Sequence, residues 1–174
     1  MAETNRQQSR RYLTLTLGGE FFAIEIHMVR EILDFTEITR IPQTPAYMRG
    51  VVNVRGSAVP VVDLGVKLGL GEVVHTIHTR IVIVEIRHGD TVSLMGALAD
   101  SVKEVLELDA ASIAPPPSLG AAVEVACLDG IGRHEGRFIL LLNVDRVFGT
   151  SEVLDIARAM ADPAAAFGDA QSAA

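Results

Sequence analysis

Residues 38–64 read ITRIPQTPAYMRGVVNVRGSAVPVVDL, and this stretch decides the fold. Two short valine-rich runs, 50–54 and 57–62, flank the dipeptide Arg55-Gly56, which predicts a tight turn between two strands. Valine packs well on a pleated sheet but loses rotamer freedom in a helix. Asp63 follows the second run and is suited to cap a short helical turn over 64–68. The stretch therefore predicts a β-hairpin that ends in a capped turn.

The same kind of pattern continues on both sides of this hairpin. Leu13, Leu15 and Leu17 alternate with polar residues, which is typical of a strand with one buried face, and Gly18-Gly19 then predicts a hairpin turn. Further strands are predicted over 22–26, 77–86, 92–99, 102–108, 123–127 and 137–142. Regularly spaced short strands joined by tight turns favour barrels or a sandwich.

A weak internal repeat links two of the hairpins. Residues 53–69 and 128–149 each contain a hairpin, a polar helix cap, a short amphipathic turn and a closing glycine. The caps are Asp63 and Asn143, which lie 80 residues apart. Two related small barrels would produce this repeat, but so would two unrelated hairpins, and the sequence leaves both interpretations open.

The composition excludes several classes of protein. Of the 174 residues, 49% are hydrophobic, which is enough for a substantial core, and the net charge of −7 argues against a nucleic-acid binder. Cys127 is the single cysteine, so no intramolecular disulfide forms. The longest apolar run, 138–142, is far shorter than the ~20 residues that cross a bilayer. Residues 1–11 do not resemble a secretory signal, and we expect a soluble, cytoplasmic protein.

Residues that could carry chemistry do not converge on a site. His75 and His78 lie in an extended context, which would send the two rings to opposite faces, and Cys127 lies among apolar residues that favour core packing. The glycines of 130–136 are not followed by the helix that a phosphate-binding loop needs. Ser57 lacks the strand-to-helix turn of a hydrolase nucleophile. We predict no catalytic residue, metal ligand or cofactor, and we expect that the chain is not an enzyme.

Residues 38–64 closely resemble the CheW family of chemotaxis coupling proteins. That family has an Arg-Ile-Pro end to an extended segment, a Thr-Pro turn, a Gly-Val-Xaa-Asn-Xaa-Arg-Gly hairpin and a Pro-Val-Val-Asp-Leu run. The matching residues here are 40–42, 44–45, 50–56 and 60–64, and further matches lie at 22–26, 29–32, 96–102, 128–130 and 138–145. The resemblance covers residues 10–149, most of the chain.

The resemblance implies a mainly β fold. We expect two small five-stranded barrels of the Src-homology-3 type packed together, a few short helices and a C-terminal helix. The expected organisation is a disordered N-terminus at 1–9, a CheW-like domain of two interleaved barrel subdomains at 10–149, and a C-terminal helix with an Ala-rich tail at 150–174. The helix itself is predicted over 151–161, where apolar residues share one stripe.

The function that the resemblance implies is that of a non-enzymatic adaptor in two-component signalling. It would couple the cytoplasmic tips of methyl-accepting chemoreceptors to the regulatory domain of a CheA-type histidine kinase. Such a protein is expected to be a monomer alone, to join rings with the kinase, and to be recruited to the inner face of the membrane without inserting. Two alternatives stay open: a coupling protein of a related chemosensory system, such as pilus motility, and a detached CheA-type regulatory domain.

Four positions carry over to the family's receptor-binding groove. Small or apolar residues suit a groove that receives an amphipathic helical tip. Plain core packing accounts equally well for each of the three valines taken singly. The four positions are Val29, Gly50, Val102 and Val105.

Three more positions carry over to the shape of the binding surface. Glu31 and Arg55 match an acid and a base that pair across the hairpin in the family, and we hypothesise an ion pair that fixes the shape of that surface. Gly56, like Gly50, is expected where φ is positive or another backbone approaches closely.

Overall fold

The computed structural model describes residues 9–116, 125–149 and 155, and this part of the chain is built mainly of strands. Two short helices, α1 (Leu64–Lys67) and α2 (Val144–Phe148), accompany them, together with 3-10 turns at Ile26–Met28, Ala110–Ser112 and Val125–Cys127. The strands are β1 (Arg10–Leu17), β2 (Glu20–Glu25), β3 (Val29–Asp34), β4 (Met48–Val54), β5 (Ser57–Asp63), β6 (Arg80–His88), β7 (Thr91–Ala99), β8 (Ser101–Leu108), β9 (Ile113–Ala114), β10 (Leu128–His134) and β11 (Arg137–Leu142). The predicted mainly β fold is confirmed.

The strands form two sheets. Sheet one has five strands in the order β3-β6-β7-β5-β4, all from one continuous part of the chain. Sheet two has six strands in the order β8-β1-β2-β11-β10-β9 and combines the two ends of the described chain. Sheet two therefore has one short strand more than the five expected for each barrel. The sixth strand, β9, is two residues long and pairs with β10.

Both sheets curl so that strands far apart in the strand order come into contact. In a flat five-stranded sheet, β3 and β4 would lie about 19 Å apart, four strand spacings. Instead, Glu31 on β3 reaches Arg55 at the end of β4, with 2.9 Å between Oε2 and Nη2. In sheet two, a Cβ added at Gly132 on β10 would lie 2.8 Å from Cδ1 of Leu108 on β8. These contacts between strands that are not neighbours in the sheet show that each sheet curls into a small barrel.

Two of the predicted strands differ from the structure. The predicted strand 123–127 is wrong over its described residues, because Val125–Cys127 form a 3-10 turn and β10 begins at Leu128. The strand predicted from residue 77 begins at Arg80 instead, because the Thr79 hydroxyl accepts a hydrogen bond from the Thr76 N–H and holds a turn there. Apart from residue 155, the predicted helix 151–161 lies outside the described residues, as does most of the predicted N-terminal segment 1–9.

The predicted repeat is present as a structural repeat. The β4–β5 turn has φ of +52° at Arg55, and the β10–β11 turn has φ of +51° at Glu135, each followed by a glycine with positive φ. The Asp63 carboxylate accepts a hydrogen bond from Val66 N–H at the start of α1. The Asn143 side-chain oxygen does the same at the start of α2. The second strand of each hairpin also forms the parallel pair of its sheet, β5 with β7 and β11 with β2. The structure therefore favours two related barrels over two unrelated hairpins.

The repeat extends to the outermost strands β3 and β8. Val29 and Ile32 on β3 pair with two residues of β6 that are two positions apart, so β3 carries one extra residue in a bulge. Val102 and Val105 on β8 pair with two residues of β1 that are also two positions apart, which places a bulge at the same point. Val29 therefore corresponds to Val102, and Ile32 corresponds to Val105.

A single large apolar core joins the two sheets. Leu15 and Phe22 of sheet two and Val61 and Ile83 of sheet one are all fully buried members of one cluster. A smaller cluster around Tyr12 lies within sheet two. Because the large cluster takes residues from both barrels, we expect the barrels to hold a fixed relative position and to unfold together.

Candidate functional site

The ion pair between Glu31 and Arg55 stands at the rim of the first barrel. The pair links the strand at one edge of sheet one to the hairpin turn that follows the strand at the other edge. The Arg55 side chain is 84% exposed and that of Glu31 is 23% exposed, so the acid is the better fixed of the two partners. The pair that the resemblance implied is present, and it links the hairpin turn to β3. Whether a partner reads this shape stays a prediction.

The backbone of the turn holds Arg55 in place. Arg55 has a φ of +52° and Gly56 has a φ of +86°, the combination that a tight two-residue hairpin turn requires. The Asn53 side-chain oxygen accepts a hydrogen bond of 2.8 Å from Gly56 N–H. Beyond its two chain neighbours, no heavy atom lies within 4 Å of a Cβ built at Gly56, so this glycine serves backbone conformation rather than close packing.

Gly50 allows one segment of backbone to cross another. It is buried in β4 with φ of +141°, and a Cβ there would lie 2.0 Å from the carbonyl oxygen of Thr39. Thr39 and Val51 form an isolated bridge with two backbone hydrogen bonds of 2.8 and 2.9 Å. Gly50 therefore shapes the surface by letting residues around 39 lie on β4, and it offers no side chain to a groove.

The three predicted groove valines lie on the two equivalent outer strands. Val29 on β3 and Val102 on β8 are partly buried and pack against the shared core, so core packing accounts for much of each side chain. Val105 is different because it is 48% exposed. β3 and β8 thus present corresponding positions, Val29 in the first barrel and Val102 in the second. Of the three predicted valines, Val105 has the largest exposed fraction of its side chain.

A buried acid at the end of β5 was identified from sequence only as a helix cap. Asp63 is fully buried, and its second carboxylate oxygen accepts a hydrogen bond of 3.1 Å from Val73 N–H. Arg49 lies 3.8 Å from the same oxygen and also pairs with Glu72. This network ties the loop after α1 to the end of the first barrel. It depends on a residue ten positions further along the chain, so local sequence carried no signal for it.

The corresponding end of the second barrel uses different chemistry. Asp129 lies 80 positions after Arg49, and its carboxylate accepts a hydrogen bond of 2.8 Å from the Asn143 amide. In the first barrel, the basic Arg49 faces the acidic Asp63. At the corresponding place in the second barrel, the acidic Asp129 faces the amide of Asn143. A cleft of about 600 Å³ opens beside this pair and is lined by residues that include Arg10, Tyr12 and Glu25.

The charged groups in this cleft are already engaged with each other. Arg10 Nη1 lies 2.6 Å from Glu25 Oε1, and this hydrogen bond, with the accompanying charge attraction, raises the pKa of Arg10. Burial, followed by the nearby Glu25 charge, raises the pKa of Tyr12 above its ordinary value of 10. His27 Nε2 lies 3.2 Å from the other oxygen of Glu25. The cleft therefore brings together a structural ion pair and a phenol that keeps its proton.

The other residues considered for chemistry have structural surroundings. The His75 ring stacks on Phe35 with 3.9 Å between ring centroids, and the Cys127 thiol is buried. Within 9–116 and 125–149, no three His, Cys, Asp or Glu side chains are grouped so that they could hold a metal ion. Across the same residues, no helix has the length and apolar character needed to span a membrane.

Comparisons with known proteins agree on one family. The family model of the CheW-like domain matches residues 11–152. The chemotaxis protein CheW of Rhizobium meliloti is 32% identical over 143 residues, which cover 82% of this chain and 90% of that protein. The chemotaxis protein CheW of Klebsiella aerogenes is 33% identical over 144 residues, which cover 83% of this chain and 84% of that protein. The crystal structure of the scaffolding protein TtCheW from Thermoanaerobacter tengcongensis matches with a TM-score of 0.73 and 30% identity, covering 82% of this chain and 90% of that one.

Proposed function

The chain belongs to the CheW family of chemotaxis proteins, and on that premise we propose that it is an adaptor that couples chemoreceptors to a CheA-type histidine kinase. The family match over residues 11–152 is the observation that carries this proposal. The match of the whole fold to a scaffolding protein supports it, since the two-barrel framework is the part that the two chains share. The adaptor works by binding and transforms no molecule.

The two-barrel fold suits a protein that holds two partners at once. Each barrel contributes its own outer strands, and the shared core keeps the two surfaces in a fixed relation. An adaptor that binds a receptor tip and a kinase regulatory domain on different faces raises the effective concentration of one partner near the other. Control of kinase activity by receptors then needs no catalytic group in the adaptor.

The receptor contact is assigned to the equivalent strands β3 and β8 and their surroundings. Val29, Val102 and Val105 supply apolar side chains there, and a receptor tip with an amphipathic helix would cover them with its apolar stripe. Gly50 contributes by the close backbone approach at Thr39 rather than by a side chain.

The ion pair of Glu31 with Arg55, together with the turn glycine Gly56, holds the rim of the first barrel in the geometry that a partner recognises. A pair with one partner 84% exposed stabilises the fold by only about 0–1 kcal/mol. Its contribution is therefore to shape, and its removal would affect binding more than folding.

Location follows from the receptor partner. Recruitment to the inner face of the membrane would come through receptor tips, and assembly with the kinase into rings would follow from binding on two faces.

Co-sedimentation tests both bindings in one experiment. Membranes that contain a chemoreceptor are mixed with purified kinase, with and without this protein, and then pelleted. We expect more kinase in the pellet when the protein is present. An unchanged amount of kinase, or failure of the protein itself to pellet with receptor membranes, would contradict the proposal.

A further inference from the structure

An apolar cleft opens on sheet two, beside the short strand β9. Its volume is about 650 Å³, which lies within the ~300–1,000 Å³ of typical small-molecule sites. Ile131 pairs with Leu140 across β10 and β11, and Arg133 pairs with Phe138 two positions nearer the hairpin turn. Positions two apart on a strand point to the same face, so these four side chains share the face that lines the cleft. The alternate residues of β11 belong to the smaller core cluster, so the cleft lies on the outer face of the sheet.

One basic group stands at the end of this cleft that is near the hairpin turn. Of the described residues that line the cleft, Arg133 alone is charged. Its guanidinium carbon lies 5.3 Å from the centroid of the Phe138 ring, a cation–π contact that holds the side chain beside the cleft. Among the described residues, no carboxylate forms an ion pair with Arg133. The guanidinium therefore keeps N–H donors for a carboxylate from outside the protein.

The size of the cleft favours a small ligand over a protein partner. Eight described residues line it, whereas each side of a stable protein interface uses roughly 20–30 residues. Phe138 is 61% exposed, so its ring leaves apolar surface in water that a compact apolar ligand would cover. Together with the charge of Arg133, this surface fits a ligand that has an apolar chain and one negative charge.

We propose that the cleft binds a small amphipathic carboxylate of the medium-chain fatty-acid type. The alkyl chain lies along Ile131 and Leu140, and the carboxylate accepts hydrogen bonds from the Arg133 guanidinium. The site belongs to sheet two and uses neither Glu31 nor Arg55, so it is independent of the proposed adaptor function. Local sequence carried no signal for it, because β9 and β10 meet only through strand pairing.

Titration with octanoate tests this site. The matched ligand is 1-octanol, which has a chain of the same length and no charge. Each is titrated into the isotope-labelled full-length protein, and backbone amide shifts are followed by two-dimensional NMR. We expect octanoate to give saturable shifts in β9, β10 and β11, and 1-octanol to bind at the same place more weakly.

Two variants of the same hairpin isolate the contribution of the charge. Arg133→Gln removes the charge at the cleft. Arg137→Gln is the control, because Arg137 lies on the opposite face of the hairpin, 4.2 Å from the centroid of the Phe21 ring. We expect Arg133→Gln to weaken octanoate binding by about fivefold and to leave 1-octanol binding unchanged. Arg137→Gln should alter neither.

Three results would overturn the proposal. The first is an absence of saturable octanoate shifts in the cleft. The second is octanoate binding to Arg133→Gln that is as tight as to the unmodified protein, since the arginine would then hold no carboxylate. The third is a cleft that ignores octanoate while its amides shift with purified kinase or receptor, which would make it a protein contact.

Discussion

Charge reversal at Arg55 separates the shape of the binding surface from the stability of the fold. Arg55 Nη2 lies 2.9 Å from Glu31 Oε2, and the Arg55 side chain is 84% exposed. Loss of such a pair costs about 0–1 kcal/mol of unfolding free energy. Arg55→Glu also places two carboxylates near each other, which costs about 1 kcal/mol at 4 Å in water and less in physiological salt. A domain with a typical stability of about 5–15 kcal/mol tolerates this loss.

Binding responds more strongly than folding in this variant. Without the pair, the hairpin turn at Arg55 loses its side-chain link to β3, and we expect repulsion to move the two side chains apart. We expect Arg55→Glu to weaken binding of receptor or kinase by about tenfold or more, equivalent to about 1.4 kcal/mol, with little change in the melting temperature. Arg87→Glu is the matched control, because it alters net charge equally at a 77% exposed arginine whose carboxylate partner lies 3.9 Å away.

The double variant Glu31→Arg with Arg55→Glu decides the mechanism. If the pair acts by fixing geometry, exchange of the two charges restores the ion pair and recovers most of the lost affinity. Affinity is measured by titration calorimetry and folding by circular dichroism, on all variants in the same buffer. The reasoning is refuted if Arg55→Glu binds as tightly as the unmodified protein. It is also refuted if the folded double variant binds as weakly as the single one, since Arg55 would then act through its own charge.

Three further perturbations test the framework around this surface. Gly50→Ala should destabilise the fold by about 3 kcal/mol in chemical denaturation, because φ is +141° and the Thr39 carbonyl oxygen would lie 2.0 Å from the new Cβ. The control Gly136→Ala should cost only about 1 kcal/mol, because its Cβ meets open space. Asp63→Asn should cost about 2–3 kcal/mol in the same assay, since an amide cannot accept from both backbone N–H groups that the carboxylate serves, and an unchanged midpoint would contradict this. Burial raises the pKa of Tyr12, so the folded state keeps a proton that the unfolded chain loses, and stability should fall as pH rises above about 10. Tyr12→Phe should show a shallower alkaline loss, and an identical pH profile would rule out this cause.

Local features of the fold were predictable from sequence because their causes are local. Gly18-Gly19 and Arg55-Gly56 form the predicted turns, since each needs a positive φ within two adjacent residues. The caps at Asp63 and Asn143 each serve a backbone N–H three residues ahead. Such contacts lie within a few positions of the residue that makes them, so a short window of sequence contains the whole interaction.

Features that depend on how the sheets curl were not predictable in this way. The close approach of Thr39 to Gly50, the Arg49 contact with Asp63, and the correspondence of Ile32 with Val105 all join residues whose proximity is decided by strand register. The ion pair between Glu31 and Arg55 came from family resemblance, because neither residue alone indicates its partner. The strand predicted at 123–127 is wrong at Val125–Cys127, because alternating valines favour a strand locally, whereas these described residues form a turn that leads into β10.

Receptor-dependent control of kinase activity tests the central claim most directly. A purified CheA-type kinase is incubated with radiolabelled ATP, alone, with this protein, with chemoreceptor-containing membranes, and with both. Autophosphorylation should rise above the level of the kinase alone only when this protein and the receptors are present together. A rate that the protein raises without receptors, or a rate that receptors raise equally well without the protein, would contradict its role as the coupling adaptor.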